Sequence, residues 1–175
     1  DDVVFGDGEK FRYVSAYVTE DQRFLVVYAS NTTAGNRLLV RDLNDPRGQL
    51  VNVVDDETSD ISVIFSQDGM LYALTNRAAP NSRLVKFNLL APTAWQDVIP
   101  ESEHVLDASA VGGYFFAQYM VDAIARIEQY SLDGQRLREI VLPGPGDASG
   151  FRGKAKDTVA YYSFQNYKTP STLFR

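Results

Sequence analysis

Short apolar runs recur along the chain at a nearly constant spacing, and this repeat restricts the fold more than any other feature. Phe24-Leu25-Val26-Val27-Tyr28-Ala29, Met70-Leu71-Tyr72-Ala73-Leu74-Thr75, Tyr114-Phe115-Phe116-Ala117-Gln118-Tyr119 and Thr158-Val159-Ala160-Tyr161-Tyr162-Ser163-Phe164 begin 44 to 46 residues apart. The first three are each followed by a turn segment and a second run, at 37–43, 83–89 and 126–132. These second runs share the pattern Arg-Leu/Ile-x-x-x-Asp/Asn/Ser-Leu, with copies 46 and 43 residues apart, and a fourth copy begins near Thr172-Leu173-Phe174-Arg175. The runs are short, rich in Val, Tyr, Phe, Leu and Thr, and bounded by Asn, Asp, Gly or Pro, which is the signature of strands rather than helices. A period in the low to mid forties with several strands per repeat is the sequence form of a four-stranded propeller blade, because one blade cannot cover both its faces and must stack on neighbours. The expected fold is therefore all-β, a propeller arc of about four blades of four-stranded antiparallel sheet.

Turn chemistry agrees with this reading. Asp68-Gly69 and Asp133-Gly134 each place a pair tolerant of positive φ between two apolar runs, as a tight hairpin requires. Leu142-Pro143-Gly144-Pro145-Gly146-Asp147 cannot continue a ladder, since both prolines lack the donor, and it is expected to join one blade to the next. Asp122-Ala123-Ile124-Ala125-Arg126 is too short for a helix and reads as a loop or turn. The repeats account for nearly the whole chain, yet it begins inside one repeat and stops in the middle of another. It is expected to be either a compact four-bladed ring or a fragment of a larger propeller. An open arc would expose unpaired strand edges, so self-association through them is expected.

Composition bounds what such a chain can do. With 175 residues, 45% hydrophobic and 23% charged, it is one domain with a core of its own. The net charge of −6 and a pI near 4.8 remove the electrostatic drive toward nucleic acid, so no nucleic-acid partner is expected. No apolar stretch reaches the ~18 residues of a membrane span, and the acidic start lacks the basic region of a signal peptide. No membrane partner is expected, and an export signal would sit upstream of Asp1, which leaves cytoplasm and periplasm equally open. The absence of cysteine excludes disulfides, thiol nucleophiles and zinc-thiolate sites.

Catalytic motifs fail one after another. A nucleophile elbow needs Gly-x-Ser-x-Gly, and the nearest look-alike, Gly146-Asp147-Ala148-Ser149-Gly150, misplaces Ser149 in a β context, where it reads as an ordinary turn serine. His104 is the only histidine; within Glu103-His104-Val105-Leu106-Asp107 it reads as a structural residue at a strand beginning. Gly150-Phe151-Arg152-Gly153-Lys154 lacks the first glycine and the Ser/Thr of a phosphate loop. The acidic run Asp55-Asp56-Glu57-Thr58-Ser59-Asp60 offers hard oxygens but lacks the glycine and terminal glutamate of a calcium loop, and reads as a solvated connector. No cofactor and no metal site is expected. Asn31-Thr32-Thr33 fits the glycosylation pattern by chance. Trp95, the lone tryptophan, is expected to anchor packing between blades. Arg37, Arg83 and Arg126 occupy the same point of successive repeats, which implies a shared structural task, with ion pairing to a neighbouring blade as one candidate.

One stretch resembles a known family. Leu74-Thr75-Asn76-Arg77-Ala78-Ala79-Pro80-Asn81-Ser82-Arg83-Leu84, followed by Pro92, Trp95 and Val98-Ile99-Pro100-Glu101, looks like the second half of the β-propeller of prolyl oligopeptidases. Upstream, Val18-Thr19-Glu20-Asp21-Gln22-Arg23-Phe24-Leu25 resembles that family's Ser-Asp-Asp-Gly-Arg-Tyr-Leu, with Glu-Asp-Gln where the family usually has a glycine turn. Downstream, Tyr130-Ser131-Leu132-Asp133-Gly134, Ile140-Val141-Leu142-Pro143 and the segment from Ser163-Phe164 through Thr169-Pro170-Ser171-Thr172 match in order and spacing. The resemblance implies a seven-bladed propeller, not closed by a shared terminal strand, that caps an α/β-hydrolase domain cutting short peptides after proline. This chain would then be a partial propeller over 1–175, contributing roughly the last four blades. The catalytic domain, with its nucleophile and acid-base residues, would begin after Arg175 and be absent here. Members of the family often carry a pocket-lining cysteine just before an Asp-Leu pair; the matching position is Arg41, beside Asp42-Leu43. Arg41 is thus the substrate-pocket candidate, an arginine that would favour acidic or carboxylate-bearing peptides, with a solvent-facing strand arginine as the plain alternative.

The function expected from the sequence is the gating propeller of a prolyl-oligopeptidase-like serine peptidase, non-catalytic alone. Its partners would be short proline-containing peptides and its own hydrolase domain. The alternative is a free-standing propeller that binds a peptide or protein. A small hydrolase in its own right is disfavoured by the missing elbow and the single histidine.

Overall fold

The four apolar runs become the second strands of four successive antiparallel sheets. The computed structural model describes residues 2–8 and 10–175. The first sheet orders β1 (Tyr13–Val18), β2 (Phe24–Ser30), β3 (Arg37–Asp42) and β4 (Val51–Val54) side by side. The second orders β5 (Ile61–Gln67), β6 (Met70–Thr75), β7 (Arg83–Phe87) and β8 (Gln96–Ile99), and the third β9 (Leu106–Val111), β10 (Tyr114–Val121), β11 (Ile124–Tyr130) and β12 (Arg136–Ile140). The fourth has three strands rather than four among the described residues, β13 (Asp147–Arg152), β14 (Tyr161–Gln165) and β15 (Thr172–Phe174). No helix occurs among the described residues. Each sheet is a meander and therefore a blade, with its first strand innermost; β9 lies beside both β5 and β13.

Three apolar cores, one per blade junction, hold the arc together. Phe24, Val26, Leu38 and Val40 of the first blade pack on Val63, Leu71, Ala73, Val85 and Phe87 of the second. Phe65, Tyr72 and Leu84 meet Phe115, Ala117 and Tyr119 across the next junction, with the Tyr72 and Phe115 rings 5.1 Å apart. Phe116, Phe151, Tyr162 and Phe174 stack in sequence across the last, at 5.2, 4.7 and 5.3 Å. A second strand such as β6 is covered on both faces, so Leu71, Tyr72 and Ala73 are all buried; this is why these strands read as continuous apolar runs instead of alternating ones. Trp95 packs on the first core beside Phe87, its indole N–H donating to the Pro92 carbonyl at 2.8 Å.

The turns follow the sequence in most places. Asp68 and Gly69 both take positive φ between β5 and β6, as a two-residue hairpin of the primed type demands. Asp133-Gly134 closes the β11–β12 hairpin with positive φ at Gly134 alone and a register shift at Gln129/Tyr130, a bulged loop. Gln22 takes φ 58° at the place where the resembling family has glycine. Residues 141–146 connect the third and fourth blades.

Three local expectations are corrected. The loop or turn expected over 122–126 is confined to Asp122 and Ala123, both at positive φ in a two-residue turn, and Ile124 to Arg126 already belong to β11, because Ala125 buries into the last core. The run at 158–164 becomes a strand only from Tyr161, since Ser149↔Ser163 and Arg152↔Tyr161 flank a bulge at Gly150 that ends pairing early. The strand expected over 103–107 begins at Leu106, where a backbone bond to Asn81 first fixes it.

Candidate functional site

Several polar groups at the blade junctions take their partners from the neighbouring blade. Val63 on β5 is gripped by two tyrosines of the first blade: its N–H donates to the Tyr28 hydroxyl at 2.8 Å, and its carbonyl accepts from the Tyr17 hydroxyl at 2.7 Å. Burial, then the neighbouring Tyr28, raises the Tyr17 phenol well above its ordinary range, so it remains a donor.

The carboxylates of the acidic connector are engaged by the two blades it joins. Asp56 pairs with Arg77 at 2.8 Å, and Glu57 accepts from the Asn31 backbone and side-chain amides at 2.7 and 3.0 Å. Asp60 accepts from Gly35 N–H at 2.9 Å and from the Asn76 amide at 3.0 Å, so the run staples the first blade to the second. Among the described residues no group of three or more His, Asp or Glu is placed to hold a metal ion. The Asp56 carboxyl is held down to about 2 by the Thr58 hydroxyl, the Thr58 N–H and Arg77.

The repeated arginines each lie near a carboxylate, but their settings differ and their partners lie closer than the neighbouring blade. Arg83 pairs with Asp97 at 2.9 Å across β7 and β8, and Arg126 with Glu128 at 2.7 Å on β11, both inside their own blade. Arg37 reaches Glu57 in the connector at 3.7 Å, beyond hydrogen-bond distance, and its guanidinium lies 5.1 Å from the Phe11 ring. Strand registry brings opposite charges within reach on one sheet face, which is why the pairs are local. Glu128 is buried and takes a second arginine, Arg136, at 3.0 Å and the Tyr130 hydroxyl at 2.8 Å. Burial alone would raise its carboxyl; the Arg136 and Tyr130 hydrogen bonds and the two guanidinium charges together hold it below the usual range.

Among the described residues no serine and histidine come together as nucleophile and base. The Ser149 hydroxyl meets Ser163 Oγ at 3.1 Å on β13 and β14. His104 lies in the connector before β9, its Nε2 3.4 Å from Glu103 Oε1, in a small crevice of about 210 Å³ shared with Tyr119, Arg126 and Glu128. Serine and histidine thus have separate partners, as expected of structural residues.

Arg41 stands at the end of β3, opposite Leu25, which in turn faces Val18. It shares with Arg37, Leu39 and Val27 the face of the first blade turned away from the second, and Val14 and Val18 of that face are exposed. Its Nε is buried with no hydrogen-bond partner, and among the described residues no carboxylate lies within ion-pair distance; the adjacent Asp42 is taken by Arg23 at 3.0 Å.

Meandering antiparallel sheets stacked through apolar junctions, with polar connectors and no catalytic constellation among the described residues, define a section of a β-propeller. The chain belongs to the family described as prolyl oligopeptidase, N-terminal beta-propeller domain, whose model matches residues 1–175. The prolyl endopeptidase of Elizabethkingia meningoseptica is 45% identical over 179 residues, covering all of this chain and 25% of that protein, and the prolyl endopeptidase of Elizabethkingia miricola is 42% identical over the same span. Prolyl oligopeptidase B from Galerina marginata, solved bound to a 35mer hydrolysis and macrocyclization substrate, superposes with a TM-score of 0.83 at 25% identity, over 92% of this chain and 24% of that one. The chain thus spans about a quarter of the length of the relatives it matches.

The sequence offered Arg41 as a candidate but missed Tyr17, Tyr28 and Glu128. The roles of the two tyrosines depend on which blade faces which, and that of Glu128 on the register of β11 and β12 within its own blade.

Proposed function

We propose that this chain is the propeller portion of a proline-directed serine peptidase, silent on its own. An α/β-hydrolase domain elsewhere in the same protein would supply nucleophile, base and oxyanion donors. The observation that carries this reading is the match to prolyl endopeptidases along the entire chain over only a quarter of their length. Short proline-containing peptides are the proposed substrates, and the propeller limits their access to the catalytic domain. The test compares hydrolysis of a proline-containing chromogenic peptide by the whole protein and by the 175-residue chain. The whole protein should cleave it and the chain alone should not. Cleavage by the chain alone that His104→Ala abolishes, or an inactive whole protein, would defeat the reading.

Arg41 is proposed as a pocket-wall cation that favours acidic or carboxylate-bearing peptides. Its half-buried guanidinium, with no carboxylate within ion-pair distance among the described residues, supports this. Arg41→Ala should lower kcat/KM for a glutamate-bearing peptide about fivefold relative to a neutral one, the scale of one charge-assisted hydrogen bond. Equal effects on both peptides would assign Arg41 to packing. Self-association is proposed for the isolated chain, through the exposed Val14 and Val18 at one end of the arc and Tyr161 and Leu173 at the other; a monomer on sedimentation would refute it.

A further inference from the structure

The loop between β13 and β14 touches all four blades. Lys154 O accepts from Gly112 N–H at 3.0 Å, in the β9–β10 turn of the third blade. Ala155 packs on the apolar core between the second and third blades. Its N–H donates to both carboxylate oxygens of Glu20, each at 3.1 Å, and Glu20 sits in the β1–β2 turn of the first blade, 135 residues away. The loop is also braced internally, by Lys154 N–H to Asp157 Oδ2 at 2.7 Å and by Asp157 N–H to the Lys154 carbonyl at 3.1 Å.

These contacts have one location. In each blade the first strand is innermost, so the turns that follow β1, β5, β9 and β13 gather at one axial end of the arc. Three of those turns are short; the one after β13 runs from Gly153 to Ala160 and is the one that crosses that end. Its approach to the third blade is close enough to demand glycine: Gly112 is at φ +62°, and a Cβ there would lie 2.5 Å from the Asp157 carbonyl oxygen. The braced side of the loop is therefore fixed to the third blade, whereas the tie to the first blade is an exposed glutamate on a turn.

We propose that residues 153–157 form a plug across this axial end, latched by Glu20, and that Glu20 sets the size of peptide that passes. The inference rests on the peptidase reading and names its selectivity residue. With the latch closed, the backbone of Lys154 and Ala155 obstructs the axis, and only small or flexible peptides slip past. When the carboxylate lets go, the plug swings on its attachment to the third blade. Glu20 touches no reacting atom; it acts by positioning Ala155.

The test uses Glu20→Ala and Glu20→Gln in the whole protein, with two readouts. Hydrogen exchange at the Ala155 amide should speed up about fivefold in Glu20→Ala, the scale of one lost charge-assisted bond at an exposed site, and less in Glu20→Gln, which keeps an acceptor. Exchange at the Val63 amide, in a distant junction, should not change. The ratio of kcat/KM for a long proline-containing peptide to that for a short one should rise about threefold in Glu20→Ala, through the long peptide alone. Unchanged Ala155 exchange would overturn the latch. Faster exchange with an unaltered ratio would overturn the selectivity role. A wild-type protein with no proline-directed cleavage would overturn the selectivity role together with the peptidase reading, while exchange still decides whether the latch exists.

Discussion

Removing the two tyrosine hydroxyls that grip Val63 tests whether polar clasps, and not apolar stacking alone, fix one blade against the next. Tyr28→Phe deletes the acceptor of the Val63 N–H at 2.8 Å and leaves the ring in its core, so no cavity opens. Val63 is 6% exposed, so water does not replace the lost partner, and a buried unmatched amide costs about 1–3 kcal/mol. Tyr17→Phe orphans the Val63 carbonyl instead; it also removes a hydroxyl whose burial is unfavourable, so its cost is about 1 kcal/mol. The double variant should lose about 2–4 kcal/mol, which for a chain of this size lowers Tm by roughly 4–16 °C. Urea denaturation should show the midpoint moving with an unchanged slope, and the Val63 amide should lose its protection from exchange. The raised Tyr17 phenol gives a matching pH dependence. Its folded value lies above the unfolded value near 10, so its contribution is complete below about pH 10 and falls away as pH rises past it. A double variant within about 0.5 kcal/mol of wild type, or with Val63 still protected, would refute the clasp.

Three further outcomes are expected. The Asp56 carboxyl should titrate near 2 by NMR; because the folded value lies below the unfolded value near 4, its support of the first junction is complete above about pH 4 and is lost as pH falls toward 2. Glu128→Gln should cost about 1–2 kcal/mol in denaturant melts, less than a fully buried pair, because Arg126 and Arg136 are each 46% exposed and partly rehydrate. Ala123→Gly should stabilise by about 0.5–1 kcal/mol, since a residue at φ 63° in a primed turn gives up its Cβ strain; a loss of stability would place the strain elsewhere.

The repeat of apolar runs and the turn residues between them determined the blade count, the antiparallel meander, the Asp68-Gly69 turn and the connector, read at 142–147 and found at 141–146, because these depend on residues near one another in the chain. Leu71-Tyr72-Ala73 could announce itself as a strand with both faces covered without any knowledge of what covers it. The missing Gly-x-Ser-x-Gly and the single His104 likewise spoke for a non-catalytic segment from residue types alone. Only the tertiary structure decided where Glu20, Tyr17, Tyr28 and Glu128 find their partners, and that Arg41 has no carboxylate partner among the described residues. It also showed that the acidic run 55–60 is a staple and that Arg83 and Arg126 pair inside their own blades. A local period of two tells each side chain which face of its sheet it occupies; it carries no record of the blade stacked against that face, and hydrogen bonds between residues 46 or 135 positions apart exist only once that stacking is fixed.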